Sequence, residues 1–557
     1  LKLVFEMKLR IKHHTVMLRD FHQAWKHGGI WRLYKCVPKS GKQGKEAFAH
    51  TKKGLTALIF IAIGCSQAAL AQSSLPNLGD GLEMTASAER RLGDRIAREL
   101  YRDPDFIDDP VLVDYVQAIW QRLMSAARLR GELSPEIEER FAWALTLGRD
   151  RSVNAFALPG GYLGVHLGLL AVVSSPDELA SVLAHELSHV TQRHISRLIS
   201  RQGATTPWLI GAMLLGALAA RGNPNVANAM ITGGQAVAVQ GQLNFSRDME
   251  READRVGYGI LVQAGFEPQG FVSMFEKLQK ASRLNDSGGF PYLRSHPVTT
   301  ERIADMQGRQ QLLPPSKSKE TVSLQHAMIS ARARALTRPG IDILRSWVDQ
   351  AVAASSSPPG ASDPAAQAGL LYQGVLAASF QRDFEQARRL HKHLQTLTEG
   401  DTAAAELVRL LGAELALAGG DVRGAVSVMS KADEKIGSQS RPALFLWAQA
   451  MTRSGQGLEV AQRLQTWLAT RPQDAQAWQL LAAAYQTQNK VQSAIRAEAE
   501  SFASLLDYPS AVNRMKVAQQ MSRQNANGVN ADHIEASIID ARTRELELLQ
   551  REQALER

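Results

Sequence analysis

The sequence predicts a mainly α protein, with a small edge-strand sheet among the helices of its first half and an α-solenoid in its second. Three observations carry this. A capped amphipathic helix begins at Pro176. The alternating stretch Val153 to Leu158 runs into Pro159-Gly160-Gly161, a strand ending in a turn. Beyond residue 440 the apolar positions recur with a 34-residue period. Of 557 residues, 45% are hydrophobic and 21% charged, which suits a globular chain of several domains.

The net charge of +9 belongs to the beginning of the chain. Residues 1–53 hold 13 Lys/Arg and 3 Asp/Glu, leaving 51 basic against 52 acidic side chains elsewhere. That balance excludes a nucleic-acid-binding surface as the meaning of the charge. Lys52-Lys53 precede an apolar core from Leu55 to Ile63, and Ala69-Leu70-Ala71 offers a cleavage site before Gln72. Residues 50–71 therefore read as an export signal, and 1–49 as an upstream extension outside the natural product. Cys65 raises a lipoprotein alternative, although Ala62-Ile63-Gly64 is an imperfect lipobox. Both cysteines precede the expected cut, so the exported chain fits an oxidising compartment without disulfides. The apolar run Trp208 to Ala220 falls short of the roughly 20 residues that span a bilayer. It is expected to be a buried or interfacial helix, with Ile231-Thr232-Gly233-Gly234 allowing it to act as a lid.

Ser175 as N-cap, Pro176 at N1 and Glu178 three residues after the cap define the start of the central helix. Leu179, Val182, Leu183, Leu187 and Val190 give it a buried face. On it stands His185-Glu186-Leu187-Ser188-His189. The spacing of four places both imidazoles on one face, where they can share a metal ion, and Glu186 can then meet an activated water. Zinc is the expected metal. A second helix follows Ser246. Its Glu250 and Asp254 form an acid pair at i, i+4 that repels unless a cation or a histidine donor lies nearby. Glu250 reads as the third ligand, and Asp254 as the carboxylate that accepts the far N–H of a ligating histidine. Glu252 is the competing ligand but points away from that face. Asn154, Ala155, Phe156 and Ala157 form an edge strand that can pair with an extended substrate. Tyr162 to Val172 reads as an apolar helix behind the site. His296, before Pro297, is expected on a loop; from the residues alone a solvent-facing role suits it best. His166 reads as a satisfied packing residue, and His194 has no role at the metal.

Together these stretches resemble the zinc metallopeptidases of family 48 of the metallo class. The resemblance rests on His185 to His189, on the Glu-x-x-x-Asp beginning at Glu250, on Asn154 to Gly161, and on Ser295-His296-Pro297 followed by Thr300-Glu301-Arg302. It implies an α+β gluzincin metallopeptidase domain over 72–312 holding one Zn2+ per chain. It also implies that His296 occupies the metal and holds the enzyme inactive. The implied substrates are misassembled outer-membrane β-barrel proteins met in the periplasm, by an enzyme that is soluble or peripheral to the outer membrane.

Residues 313–363, with Pro314-Pro315 and Ser355 to Gly360, read as a linker and bridging helices. From 364 to 557 the chain is helical. Leu444, Trp447, Ala448 and Met451 recur as Trp478, Leu481, Ala482 and Tyr485, and Val460 as Ala494; Pro472 ends the earlier copy. This is the tetratricopeptide pattern, with weaker copies around Ala387 and Ala425. Such a concave surface suits protein partners; the resemblance implies an outer-membrane β-barrel assembly complex and its clients. The alternative function is a repeat-based chaperone or scaffold with a mostly blocked metal site.

Overall fold

The computed structural model describes residues 84–201, 247–283, 290–312, 323–356, 363–430, 440–525 and 533–555. The expected export signal, Cys65, the apolar run at 208–220 and the glycine hinge lie outside them. The described residues belong to one compact unit, Leu82–Arg557. No helix among them is long and apolar enough to cross a membrane.

The first half comprises α1 (Ala86–Arg102), β1 (Phe106–Ile107), α2 (Pro110–Leu129), α3 (Pro135–Arg140), β2 (Ala144–Gly148), β3 (Ala155–Leu158), β4 (Tyr162–His166) and α4 (Leu167–Val172). It continues with α5 (Pro176–Thr191), α6 (His194–Arg201), α7 (Arg247–Gln263), α8 (Gln269–Arg283), α9 (Tyr292–Ser295) and α10 (Thr300–Gln311). The sheet order is β1-β2-β4-β3, with β2 and β4 parallel and the outer pairings antiparallel. This leaves β3 on an edge. The helix expected over Tyr162 to Val172 is corrected: its first five residues are strand β4, and only Leu167–Val172 is helical. A strand paired on both sides and buried on both faces shows no alternation, so its apolar run looks like a buried helix. Gly164 permits the pairing, because a Cβ there would lie 2.1 Å from the Phe156 ring.

Helix α5 is buried around its whole circumference from Glu178 to Thr191. It packs against α2, α7, α8 and β3. Ser175 Oγ accepts the Glu178 amide at 3.2 Å, as the capping pattern predicts. Glu178 Oε2 reaches back one residue further than expected, accepting from the Ser174 amide and from Lys277 of α8, both at 2.6 Å. The start of α5 is thereby fastened to α8. Its middle meets α7 closely at Gly257, where an added Cβ would sit 3.0 Å from the Ala184 carbonyl oxygen. That approach brings the acids of α7 to the histidines of α5.

The second half holds α11 (Leu324–Leu336), α12 (Ile341–Ser355), α13 (Pro364–Phe380), α14 (Phe384–Thr398), α15 (Thr402–Ala418), α16 (Val422–Ser430), α17 (Arg441–Arg453) and α18 (Gly457–Thr470). It ends with α19 (Ala475–Thr487), α20 (Val491–Ser504), α21 (Tyr508–Asn525) and α22 (His533–Leu555). Each helix from α13 to α20 packs on the next as part of a hairpin series. Five hairpin corners share one device. Arg382, Gly420, Gly455, Asn489 and Leu506 take positive φ of 62°, 80°, 85°, 57° and 59°. In each, the following amide reaches back five residues, as from Asp383 to Ala378 at 2.9 Å and from Lys490 to Tyr485 at 3.0 Å. This is the left-handed helix ending that glycine or asparagine favours. Ala387, Ala425, Val460 and Ala494 are all buried where the second helices cross.

The bridging helix α11 is a buried wedge between the two halves. Arg332 donates to Asp109, the N-cap of α2, at 2.6 Å and to Glu414 of α15 at 2.7 Å. Removing one partner of such a buried pair typically costs about 3–5 kcal/mol. At the far end, Leu506 packs in one cluster with Leu92, Ile96 and Leu158, so the repeats return to α1 and the edge strand.

Candidate metal centre

One helical turn sets the centre. His185 and His189 project from the same face of α5 with their Nε2 atoms 3.0 Å apart. Glu250 arrives from the first turn of α7. Its Oε1 lies 3.4 Å from His189 Nε2, and its Oε2 lies 3.5 Å from His185 Nε2. The fourth member is His296, which caps the short helix α9. Its Nδ1 lies 3.0 Å from Glu250 Oε1 and 3.3 Å from His185 Nε2. His296 is buried, so the solvent-facing role that suited the residues alone is corrected. Its ring stacks on Tyr292 at 4.6 Å, and its amide donates to the Tyr292 carbonyl at 2.9 Å.

The donor set fits a divalent cation. One ligand atom from each of these four residues lies within 4.8 Å of the others. A tetrahedron with bonds of about 2.0–2.1 Å has edges of roughly 3.3 Å, close to the separations above. Imidazole nitrogens converging on one another and on a carboxylate, away from water, repel unless a proton or a cation lies among them. Among the described residues Glu186 Oε1 has no hydrogen-bond partner, and His296 Nε2 is 3.5 Å from it. Glu186 Oε2 accepts the Ala157 amide of β3 at 2.9 Å.

Outer partners hold both histidines of α5. His185 Nδ1 sits 3.0 Å from Asp254 Oδ1, outside ideal hydrogen-bond alignment. Asp254 in turn receives both arms of Arg302 from α10, at 2.6 and 2.7 Å. Arg302 also reaches Glu250 Oε2 at 2.8 Å and donates to the Pro297 carbonyl at 2.7 Å. A single guanidinium thus binds the acid pair to the loop that carries His296. His189 Nδ1 meets His194 Nδ1 at 2.9 Å, and His194 Nε2 meets Glu252 at 3.1 Å.

The electrostatics set the two histidines of α5 apart and keep both acids of the α7 pair charged. Burial lowers the His185 pKa, but the adjoining carboxylates of Asp254 and Glu250 outweigh it and raise the value to about 9. Burial and the neighbouring His185 push His189 well below its ordinary value. Burial raises Glu250, yet the adjacent His296 and His185 hold it well below the usual carboxylate range. Burial likewise raises Asp254, and Arg302 more than reverses the effect.

Residues 113–310 match peptidase family M48. This chain carries an M48 peptidase domain. It is accordingly a metallopeptidase whose substrates are proteins. The chain is 29% identical over 520 residues to a beta-barrel assembly-enhancing protease of Escherichia coli K12, covering 90% of this chain and 98% of that one. The Vibrio cholerae counterpart is 35% identical over 271 residues, which is 48% of this chain and 53% of the relative. The mitochondrial metalloendopeptidase OMA1 of Saccharomyces cerevisiae shares 28% over 198 residues, or 34% of this chain and 54% of its own.

The M48 domain brings His185, Glu186, His189, Glu250, Asp254 and His296 together. The strand Asn154 to Ala157 reaches the same place through Ala157. Within it, Asn154 turns its carbonyl inward to the His166 amide at 3.0 Å, so Ala155 and Ala157 present their backbone outward. Two contributors were missed. Arg302 stands in a polar helix start where nothing local distinguishes it from its neighbours. His194 falls five residues after His189, off the helical face; a further histidine so soon after the motif was the available signal.

Proposed function

We propose that this chain is a periplasmic zinc endopeptidase acting on outer-membrane β-barrel proteins, with tetratricopeptide-type repeats that engage an assembly complex and its clients. The supporting observation is the convergence of His185, His189, Glu250 and His296 beside the unpartnered oxygen of Glu186. The substrate class comes from the name of the Escherichia coli relative, which aligns along 90% of this chain. The hairpin series offers the protein-binding surface.

In this reading His185, His189 and Glu250 would hold the zinc, which when bound would supply Lewis-acid chemistry to the water and the scissile carbonyl. Glu186 would take a proton from the attacking water and deliver it to the leaving amine. Ala155 and Ala157 offer outward backbone groups to an extended segment, a mode of pairing that is largely indifferent to sequence. Asp254, charged and gripped by Arg302, orients His185. His296 would take the remaining position at rest, and its stack on Tyr292 and the Arg302 contact to Pro297 hold the ring in place for it.

Glu186→Gln tests the base. The amide keeps the side-chain shape but cannot accept a proton. Metal content should stay at the wild-type level while cleavage of casein or of a barrel protein drops by about 100-fold or more. Cleavage retained at full metal content would remove Glu186 from the reaction.

A further inference from the structure

Each histidine of α5 turns its second ring nitrogen away from the donor group, and the two meet different partners. His185 faces the carboxylate of Asp254, neutralised by Arg302. His189 faces another imidazole, with its Nδ1 2.9 Å from His194 Nδ1. His194 is fully buried; its Nε2 lies 3.1 Å from Glu252 Oε2, and Arg197 Nη1 donates to that same oxygen at 2.9 Å. The two limbs are parallel, and the second is longer by one imidazole.

We propose that His194 is the positioning residue for His189, fixing its tautomer and ring orientation through a chain that ends on Glu252 and Arg197. Two ring nitrogens at hydrogen-bond distance share a single proton. A histidine giving its Nε2 lone pair to a cation keeps its proton on Nδ1, so His189 donates and His194 accepts. His194 then carries its own proton on Nε2, and only an acceptor there stabilises that arrangement. Glu252 is that acceptor, and Arg197 keeps it charged and in place. The carboxylate that competed with Glu250 as a ligand thereby acquires a role one step further out.

The chain path supports the assignment. Between α5 and α6, Arg193 adopts φ of 52°, a conformation unfavourable to a residue with a side chain. Its guanidinium is secured by Glu89 at 3.1 Å. That corner folds the backbone so that His194 returns beneath His189 instead of continuing along α5. An ordinary helix end would place residue 194 elsewhere.

The inference rests on the reading of His185, His189 and Glu250 as metal ligands, so the full-length wild type is first loaded with cobalt(II) and titrated against a chelator. Failure of the wild type to bind would sink both readings. With binding established, His194→Phe fills the space without an acceptor and should weaken cobalt affinity by roughly 10- to 100-fold and shift its visible absorption band. His194→Asn restores an acceptor oxygen near Nδ1 and should recover most of both. Should His194→Phe fail to fold, Glu252→Gln keeps the shape while removing the charge. It should weaken binding in the same direction, by about 3- to 10-fold. The proposal is overturned if His194→Phe binds cobalt within twofold of wild type with an unaltered spectrum. It is equally overturned if His194→Asn is no better than His194→Phe, or if Glu252→Gln, tested where His194→Phe does not fold, leaves affinity unchanged.

Discussion

The metal centre and the helical hairpins are built on opposite principles. At the centre, groups from α5, α7, α9 and α10 converge, and every polar atom has a particular task. His185 and His296 touch across 111 positions of sequence, and Arg302 and Asp254 across 48. In the hairpins, small apolar residues and one left-handed corner residue repeat with the period, and each helix packs mainly on its neighbours. The first region should fail at single atoms. The second should absorb substitutions in small increments, because the same corner occurs five times.

The largest effect should come from Glu250→Ala, which is expected to empty the site at micromolar metal, measured by metal analysis of the purified protein. Asp254→Ala should weaken binding by only about 10- to 100-fold, because it acts through His185. If Glu252→Ala releases metal as completely as Glu250→Ala, the ligand face has been misassigned and the centre is less specific than this contrast requires.

His296→Ala sharpens the comparison in another direction. Metal content should remain near wild type, while cleavage of a flexible peptide rises, measured per bound metal. A fall in that rate would show His296 assisting the reaction instead of restraining it.

The smallest effect belongs to the hairpins. Arg382 is exposed and holds φ of 62°. Arg382→Gly should gain about 0.5–1 kcal/mol in urea unfolding, by removing the left-handed penalty less the added chain entropy. Gly420→Ala, at φ of 80°, should lose about 1 kcal/mol. Neither should alter metal content; a change there would mean that the two regions are not energetically separate.

This contrast also explains what could be read from the sequence. His185, Glu186 and His189 are legible because four-residue spacing is local to one helix. Glu250 and Asp254 show themselves through an acid pair with no local reason to exist. The burial of His296 lies in packing against Tyr292, so only the family resemblance pointed to its place. Arg302 and His194 gain their roles when α10 and α6 fold against α7 and α5, and periodicity carries no trace of that. Strand β4 was misread because a doubly buried strand and a buried helix share the same apolar composition. The solenoid was the easier part: α17 and α19 begin 34 residues apart, as do α18 and α20. Its left-handed corners are marked by Gly420, Gly455 and Asn489, while Arg382 and Leu506 give no such mark.

The bond from the Ala157 amide to Glu186 has a consequence for timing. In the proposed reading that amide is the donor a visiting strand would use to dock on β3, and it is already spent on Glu186. A segment whose carbonyl takes the Ala157 N–H must displace the carboxylate, leaving it without that donor. Docking and arming would then be one exchange of partners: the base is released by the chain it is about to help cut, and a passing segment too brief to pair with the edge leaves the safety on.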